Sequence, residues 1–237
     1  MIPFVFCFLR LIFFDAIDKP AAAEYNEKIN GERSGQVYSR YLKRPLDMVM
    51  SFLGLIVLSP LMLLIGLSVW IENRSSPIFT QKRFGRDRSI ITIHKFKTMR
   101  DDAPHDVPTH MMQDPDRWLT RMGKFLRKSS LDELPQLWNI AITHDISIIG
   151  PRPALWNQYD LIAERDKYGA NDVMPGLTGW AQINGRDELP IEEKARLDGF
   201  YAQNISFAFD VKCFFKTIGS VLRADGYSDG PRDQNKK

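Results

Sequence analysis

The chain has 237 residues, enough for one domain with a core and an appendage, and its 32 basic and 29 acidic residues leave a net charge of only +3. So small an excess, with no recognisable nucleic-acid motif, argues against a nucleic-acid binder and makes the clustering of charge more informative than its total. Only Cys7 and Cys213 occur, far apart in sequence, which excludes a disulfide framework or a cysteine zinc site and fits a reducing compartment.

Residues 2–14 are apolar apart from Arg10, shorter than a membrane span, and without the basic start and small-residue cleavage site of a signal peptide. An interfacial anchor and an overlong gene start are the two readings. The composition turns polar from Asp15 to Arg40, so residues 1–40 form an apolar segment and linker. Next comes the apolar run 46–71, with Asp47 as its one early charge, inside a membrane unit 41–74. Pro60 interrupts it, removing one backbone bond and clashing with the preceding turn, and the Ser59 hydroxyl is a partner for the freed carbonyl. Lys43 and Arg44 precede the run, and Arg74, Lys82, Arg83, Arg86 and Arg88 follow it, so both ends read as cytoplasmic. Each half of about 13 residues reaches about 20 Å, too little for a core of about 30 Å. A re-entrant helix broken at Ser59-Pro60 fits these flanks, with an ordinary kinked span as the alternative.

Residues 78–98 alternate as a β-hairpin around the turn Gly85-Arg86-Asp87-Arg88 and begin a catalytic unit 75–227, ahead of a polar tail 228–237. Its basic side chains, Lys82, Arg83, Arg86, Arg88, Lys95 and Lys97, read either as a solvated strand face or as a surface for lipid headgroups or phosphates; Lys97 is carried forward as a substrate-binding candidate. Residues 101–116, with three prolines and five aspartates, form a loop of the kind that serves as a lid, and His105 and His110 within it lack metal-ligand spacing. Between Trp118 and Leu126, the residues Leu119, Met122, Phe125 and Leu126 recur at helical spacing as a core face.

Then comes Arg127-Lys-Ser-Ser-Leu-Asp-Glu-Leu-Pro-Gln136, which sets Asp132 and Glu133 just after a basic pair. At a helix start, unpaired N–H groups favour an anion such as a phosphoryl group, and a carboxylate attacking phosphorus leaves an aspartyl-phosphate. The bland reading of Ser130-x-x-Glu133 is a capping box, and the two readings can coexist. Downstream, residues 146–149 form a short buried strand ending in Gly150-Pro151-Arg152-Pro153, where two prolines fix the backbone around a guanidinium suited to phosphate, though surface arginines also occupy such turns. Gln182 and Arg186 lie in a Gly-rich stretch, 175–186, that suits a nucleotide but needs no ligand. Finally, Val211, Phe214, Phe215, Ile218, Val221 and Leu222 share one helical face, with core packing preferred over an interfacial role.

In this order, Lys43-Arg44-Pro45-Leu46-Asp47, Ser59-Pro60, Lys95-Phe96-Lys97-Thr98-Met99, Leu131-Asp132-Glu133-Leu134-Pro135-Gln136, Gly150-Pro151-Arg152-Pro153 and Gly176-Leu177-Thr178-Gly179-Trp180 resemble the bacterial sugar transferase family, the monotopic phosphoglycosyl transferases, over about residues 41–227. The resemblance implies transfer of a phospho-sugar from a UDP-sugar to polyprenyl phosphate with release of UMP, at the cytoplasmic face of the bacterial inner membrane. It implies Asp132 as nucleophile, Glu133 as its acid/base or metal partner, Mg²⁺ held by this pair, and Arg127 as a phosphate ligand. Larger members add N-terminal membrane helices that have no match here, and residues 1–40 have no family counterpart. The expected fold is α+β: a mainly helical membrane-associated domain with the re-entrant helix, amphipathic interfacial helices and a small β-hairpin. Anionic lipids are expected partners, nucleic acid is not, and a homodimer is left open. A single displacement with no covalent intermediate, and a non-catalytic membrane-tethered scaffold, are the competing functions.

Overall fold

The computed structural model describes residues 35–104, 114–185 and 189–223. The apolar segment 2–14, His105, His110, Arg186 and the tail 228–237 lie outside the described residues.

The dominant element is helix α1, Lys43–Asn73, led in by a wide helical turn, Tyr38–Leu42. Helical structure already begins at Gly35, within the stretch read as linker. Leu, Met and Ile favour helix, and Arg74, in the left-handed conformation (φ 56°), ends it with its N–H on the Trp70 carbonyl. Pro60 cannot donate to the Ile56 carbonyl, and the Ser59 Oγ does so instead at 2.8 Å. The helix runs on through Pro60 as one element, so the expected break takes the form of one replaced hydrogen bond and not a gap between two helices.

Both ends of α1 seat on the same globular part. Near its start Lys43, Asp47 and Ser51 are buried; near its end Ile65 and Val69 join Phe96 and Leu126 in a core cluster. Leu53, Ile56, Val57, Leu63, Leu64 and Trp70 remain exposed.

The hairpin forms as the alternation predicts. Strands β1, Ile78–Phe84, and β2, Ile90–Phe96, pair antiparallel from Ile78↔Phe96 to Phe84↔Ile90. Helix α2, Arg121–Ser129, starts with two caps: the Thr120 hydroxyl accepts the Gly123 N–H (2.9 Å), and the Glu72 carboxylate, at the end of α1, accepts those of Arg121 and Met122. Leu119 and Leu126 are buried and Met122 partly so, but Phe125, expected on the same face, is exposed. The contact of α2 with α1 and β2 is one narrow stripe, Met122–Leu126, and Phe125 sits about 60° beyond its Met122 edge.

The predicted strand is β3, Ser147–Ile149, and it pairs in parallel with β4, Gly176–Thr178. The backbones approach so closely that a Cβ on Gly176 would lie 2.1 Å from the Gly150 nitrogen. The stretch read only as turns therefore holds β4 and helix α4, Trp180–Ile183; three- and four-residue elements are too short for a period to show. Helices α3, Tyr159–Asp166, and α5, Ile191–Gln203, pack together, and α6, Phe207–Arg223, closes the described chain. The preferred reading of α6 is corrected: Phe214, Phe215 and Ile218 are exposed, while Asp210, Cys213 and Ser220 are buried. Its buried stripe is small and polar, with Asp210 in a buried ion cluster, while Phe214 and Ile218 line an open cavity and Phe215 faces outward. The fold class is a mostly helical α+β domain with one long apolar helix and two small two-stranded sheets.

Candidate active site

Helix α2 delivers the carboxylate pair. Its last residue gives way to Ser130 in the left-handed conformation (φ 57°), which reverses the chain into the tight turn Leu131–Glu133. Leu131 and Leu134 flank the pair and pack on the Ile65–Val69–Phe96–Leu126 cluster, so the turn is pinned on both sides. The Ser130 side chain makes no cap, so the capping box does not form. Glu133 turns instead to two cations, accepting from Lys95 Nζ at 2.8 Å and Arg152 Nη2 at 2.6 Å.

Lys95 reaches Glu133 because β2 alternates. Ile91 and Ile93 face the core, and the next residue of that parity is Lys95. Arg152 reaches it from the Pro-Arg-Pro turn after β3. Arg127, in the last turn of α2, donates through Nε to Thr98 Oγ1 at 3.0 Å. The helix can approach Thr98 only because residue 123 is glycine: a Cβ there would lie 1.9 Å from the Thr98 carbonyl oxygen.

These groups line a cavity of about 550 Å³, and among the described residues that line it basic side chains outnumber acidic ones eight to four, a lining suited to an anionic ligand. Asp132 is buried, and burial pushes its carboxyl up to about 6 against the pull of Lys95. Burial also opposes ionisation of Glu133, but the charges of Arg152 and Lys95 and their hydrogen bonds overcome it and hold Glu133 well below the usual carboxylate range. Burial lowers the Lys95 ammonium, with Glu133 opposing. Two adjacent carboxylates are thus driven apart: Glu133 is a fixed anion, and Asp132 is a less solvated carboxylate of higher basicity.

Of the other predicted residues, Lys97 lines the cavity with its ammonium on Asp101 (2.5 Å) and Ser75 (3.1 Å). Gln182 lines it too and donates to the Leu177 carbonyl at 3.1 Å, which ties its amide to β4. The structure therefore brings together Asp132, Glu133, Lys97, Arg127, Arg152 and Gln182. Sequence reasoning missed Lys95 as a partner of Glu133, although its inward parity was a signal. Arg83, read only as one of the hairpin's basic side chains, lines the cavity and donates to the Pro153 carbonyl at 3.2 Å, and the buried pair Arg165–Asp198 was missed. Among the described residues no group of three or more His, Cys, Asp or Glu side chains gathers as a metal site.

Residues 38–224 match the family model described as Bacterial sugar transferase. The chain is 38% identical over 185 residues to the uncharacterized sugar transferase EpsL of Bacillus subtilis (strain 168), covering 78% of this chain and 89% of EpsL. It is 39% identical to the UDP-glucose:undecaprenyl-phosphate glucose-1-phosphate transferase of Escherichia coli (strain K12), over 76% of this chain and 40% of that protein. To the exopolysaccharide production protein ExoY of Sinorhizobium fredii it is 34% identical, over 78% and 87% of the two chains. It thus spans most of EpsL and ExoY and about two-fifths of the Escherichia coli enzyme. The chain belongs to the bacterial sugar transferase family.

Proposed function

We propose that this bacterial sugar transferase moves a sugar 1-phosphate from a UDP-sugar to polyprenyl phosphate, releasing UMP, as the first membrane step of exopolysaccharide, O-antigen or glycoprotein glycan assembly. The observation that carries the reading is Asp132, a buried carboxylate of raised basicity, in a cation-rich cavity beside a neighbour already neutralised by Lys95 and Arg152. Relatives named as a UDP-galactose-lipid carrier transferase and an undecaprenyl-phosphate galactose phosphotransferase support the substrate classes.

In this mechanism Arg127 and Arg152 hold the diphosphate, and an Asp132 oxygen attacks the phosphorus that bears the sugar. The bond from that phosphorus to the bridging oxygen breaks, UMP leaves with the electron pair, and an aspartyl phospho-sugar remains. An oxygen of polyprenyl phosphate then attacks the same phosphorus, and Asp132 is released as carboxylate. Two adjacent carboxylates facing a diphosphate suit Mg²⁺, which takes one or two carboxylates plus substrate phosphates. Asp132 and Glu133 would hold it, and it supplies charge neutralisation to the diphosphate.

The membrane arrangement follows from α1. A helix whose two ends are both fixed to one catalytic domain, by Lys43–Asp210 at the start and Val69–Leu126 packing near the end, favours a re-entrant element at the cytoplasmic face over a span. Its exposed side, together with Phe207 and Phe215 of α6, enters the lipid. Lys212 and Lys216, 5.4 and 4.9 Å from the Trp180 ring centroid, stand beside that face to meet anionic headgroups.

The test is UMP release across a panel of UDP-sugars, with polyprenyl phosphate in nanodiscs. Release with at least one sugar is expected, and without acceptor up to one UMP per site, leaving a phospho-sugar adduct on Asp132 visible by intact-protein mass spectrometry. No UMP from any UDP-sugar would overturn the function, and UMP only when acceptor is present would replace the covalent route by direct displacement. Cysteines placed before Leu46 and after Ile71 should both label only from the cytoplasmic side.

A further inference from the structure

Arg165 and Asp198 form the most deeply buried ion pair among the described residues, 3% and 1% exposed. Arg165 Nε and Nη2 both donate to Asp198 Oδ2, at 2.9 and 2.5 Å. The remaining nitrogen, Nη1, donates to the backbone carbonyl of Arg152 at 2.9 Å. Removing two charges from water is expensive, and a well-packed apolar pair of the same volume is often as stable or more so, so stability alone gives little reason for this pair. Its geometry gives another reason.

Arg152 stands between Pro151 and Pro153, which narrow its backbone freedom from both sides. A bond to its carbonyl fixes the orientation left over, and with it the direction in which the side chain departs towards Glu133, 2.6 Å away. We infer that Arg165, held by Asp198, is a positioning residue for Arg152: the planar guanidinium grips the carboxylate with one edge and the Arg152 carbonyl with its third nitrogen, so that the Arg152 guanidinium is aimed before substrate binds. The inference rests on the phosphoryl-transfer reading above. Sequence separations of 13 and 33 residues from Arg165 to its two partners mean that the device forms only once α3 packs on α5 and on the turn after β3.

A lysine at 165 keeps the charge opposite Asp198 but has one nitrogen and no fixed fork, so it cannot hold both partners in this way. The full-length protein and its Arg165→Lys, Arg152→Lys and doubly substituted forms are compared in nanodiscs for kcat and KM of UMP release, with thermal unfolding measured in parallel. Arg165→Lys should lower kcat about 10- to 100-fold, the scale on which small misplacements act, with melting within a few degrees of the parent. In the Arg152→Lys background the same change should lower it less than about 3-fold further, because the group it aims is already altered. Equal losses in both backgrounds, or no loss in the parent, would overturn the positioning role. Asp198→Asn, which keeps volume and an acceptor, should repeat the pattern, and failure of both variants to fold would assign the pair to the fold alone. If the parent itself released no UMP, the functional reading would fail instead.

Discussion

Two buried clusters of lysine and carboxylate are closed in different ways. At the start of α1, Asp210 accepts from Lys43 (2.5 Å), Tyr38 (2.7 Å) and Tyr201 (2.7 Å), while Asp47 accepts from Ser147 and lies 3.6 Å from the same ammonium. One cation serves two carboxylates there, and three hydroxyls from three separate parts of the chain supply the remaining donors. At the catalytic turn, Lys95 and Arg152 converge on Glu133, Arg127 stands nearby, and the cluster opens on a cavity. The first is closed and satisfied by the protein. The second lines an open cavity with lysine and arginine side chains, whose chemistry suits a phosphate. Buried charge therefore points to a site where the cluster opens on a cavity that a ligand can enter.

The sharpest way to break this contrast is Asp132→Asn, which removes the nucleophile and keeps the shape. UMP release should fall on the order of 10³-fold or more. The fold should not suffer. Because the Asp132 carboxyl titrates near 6 in the folded protein against an ordinary 3.8, its favourable contribution is full below about pH 4 and is lost as pH rises through about 6. In metal-free buffer at pH 8 the variant should thus be more stable than the parent, by about 1–3 kcal/mol, and the gain should vanish near pH 4. Lower stability at pH 8 would contradict the assigned burial.

Lys43→Met should do the opposite, since two buried carboxylates lose their cation. A loss of about 3–5 kcal/mol is expected in denaturant unfolding, with UMP release per folded molecule within a few-fold of the parent. Glu133→Gln deprives Lys95 and Arg152 of their shared anion, and steady-state assays should show roughly a 10²-fold lower kcat. Below pH 6 UMP release should fall about tenfold per pH unit as Asp132 takes up its proton, and a flat profile from pH 5 to 8 would remove it as nucleophile. The smallest effect belongs to Ser59→Ala. Loss of the bond to the Ile56 carbonyl should cost about 0.5–1 kcal/mol by thermal unfolding, whereas Pro60→Ala, which restores the backbone donor, should move the cysteine-labelling pattern towards a span.

Local chemistry was legible in the sequence. The hairpin follows from alternation around Gly85, the buried strand from its apolar run before Gly150, and the Ser59 bond from the carbonyl that Pro60 cannot serve; each depends on neighbours a few residues away. The carboxylate pair and its flanking arginines were likewise visible, because turn and helix-end chemistry is written in adjacent letters. Tertiary structure alone decided what those groups face. Lys95 meets Glu133 across 38 residues and Lys43 meets Asp210 across 167, so no local period reveals them. The same holds for which side of α6 turns inward: Asp210 joins Lys43, Tyr38 and Tyr201 while Phe214 and Ile218 line the cavity, contacts from distant parts of the chain that no helical period shows.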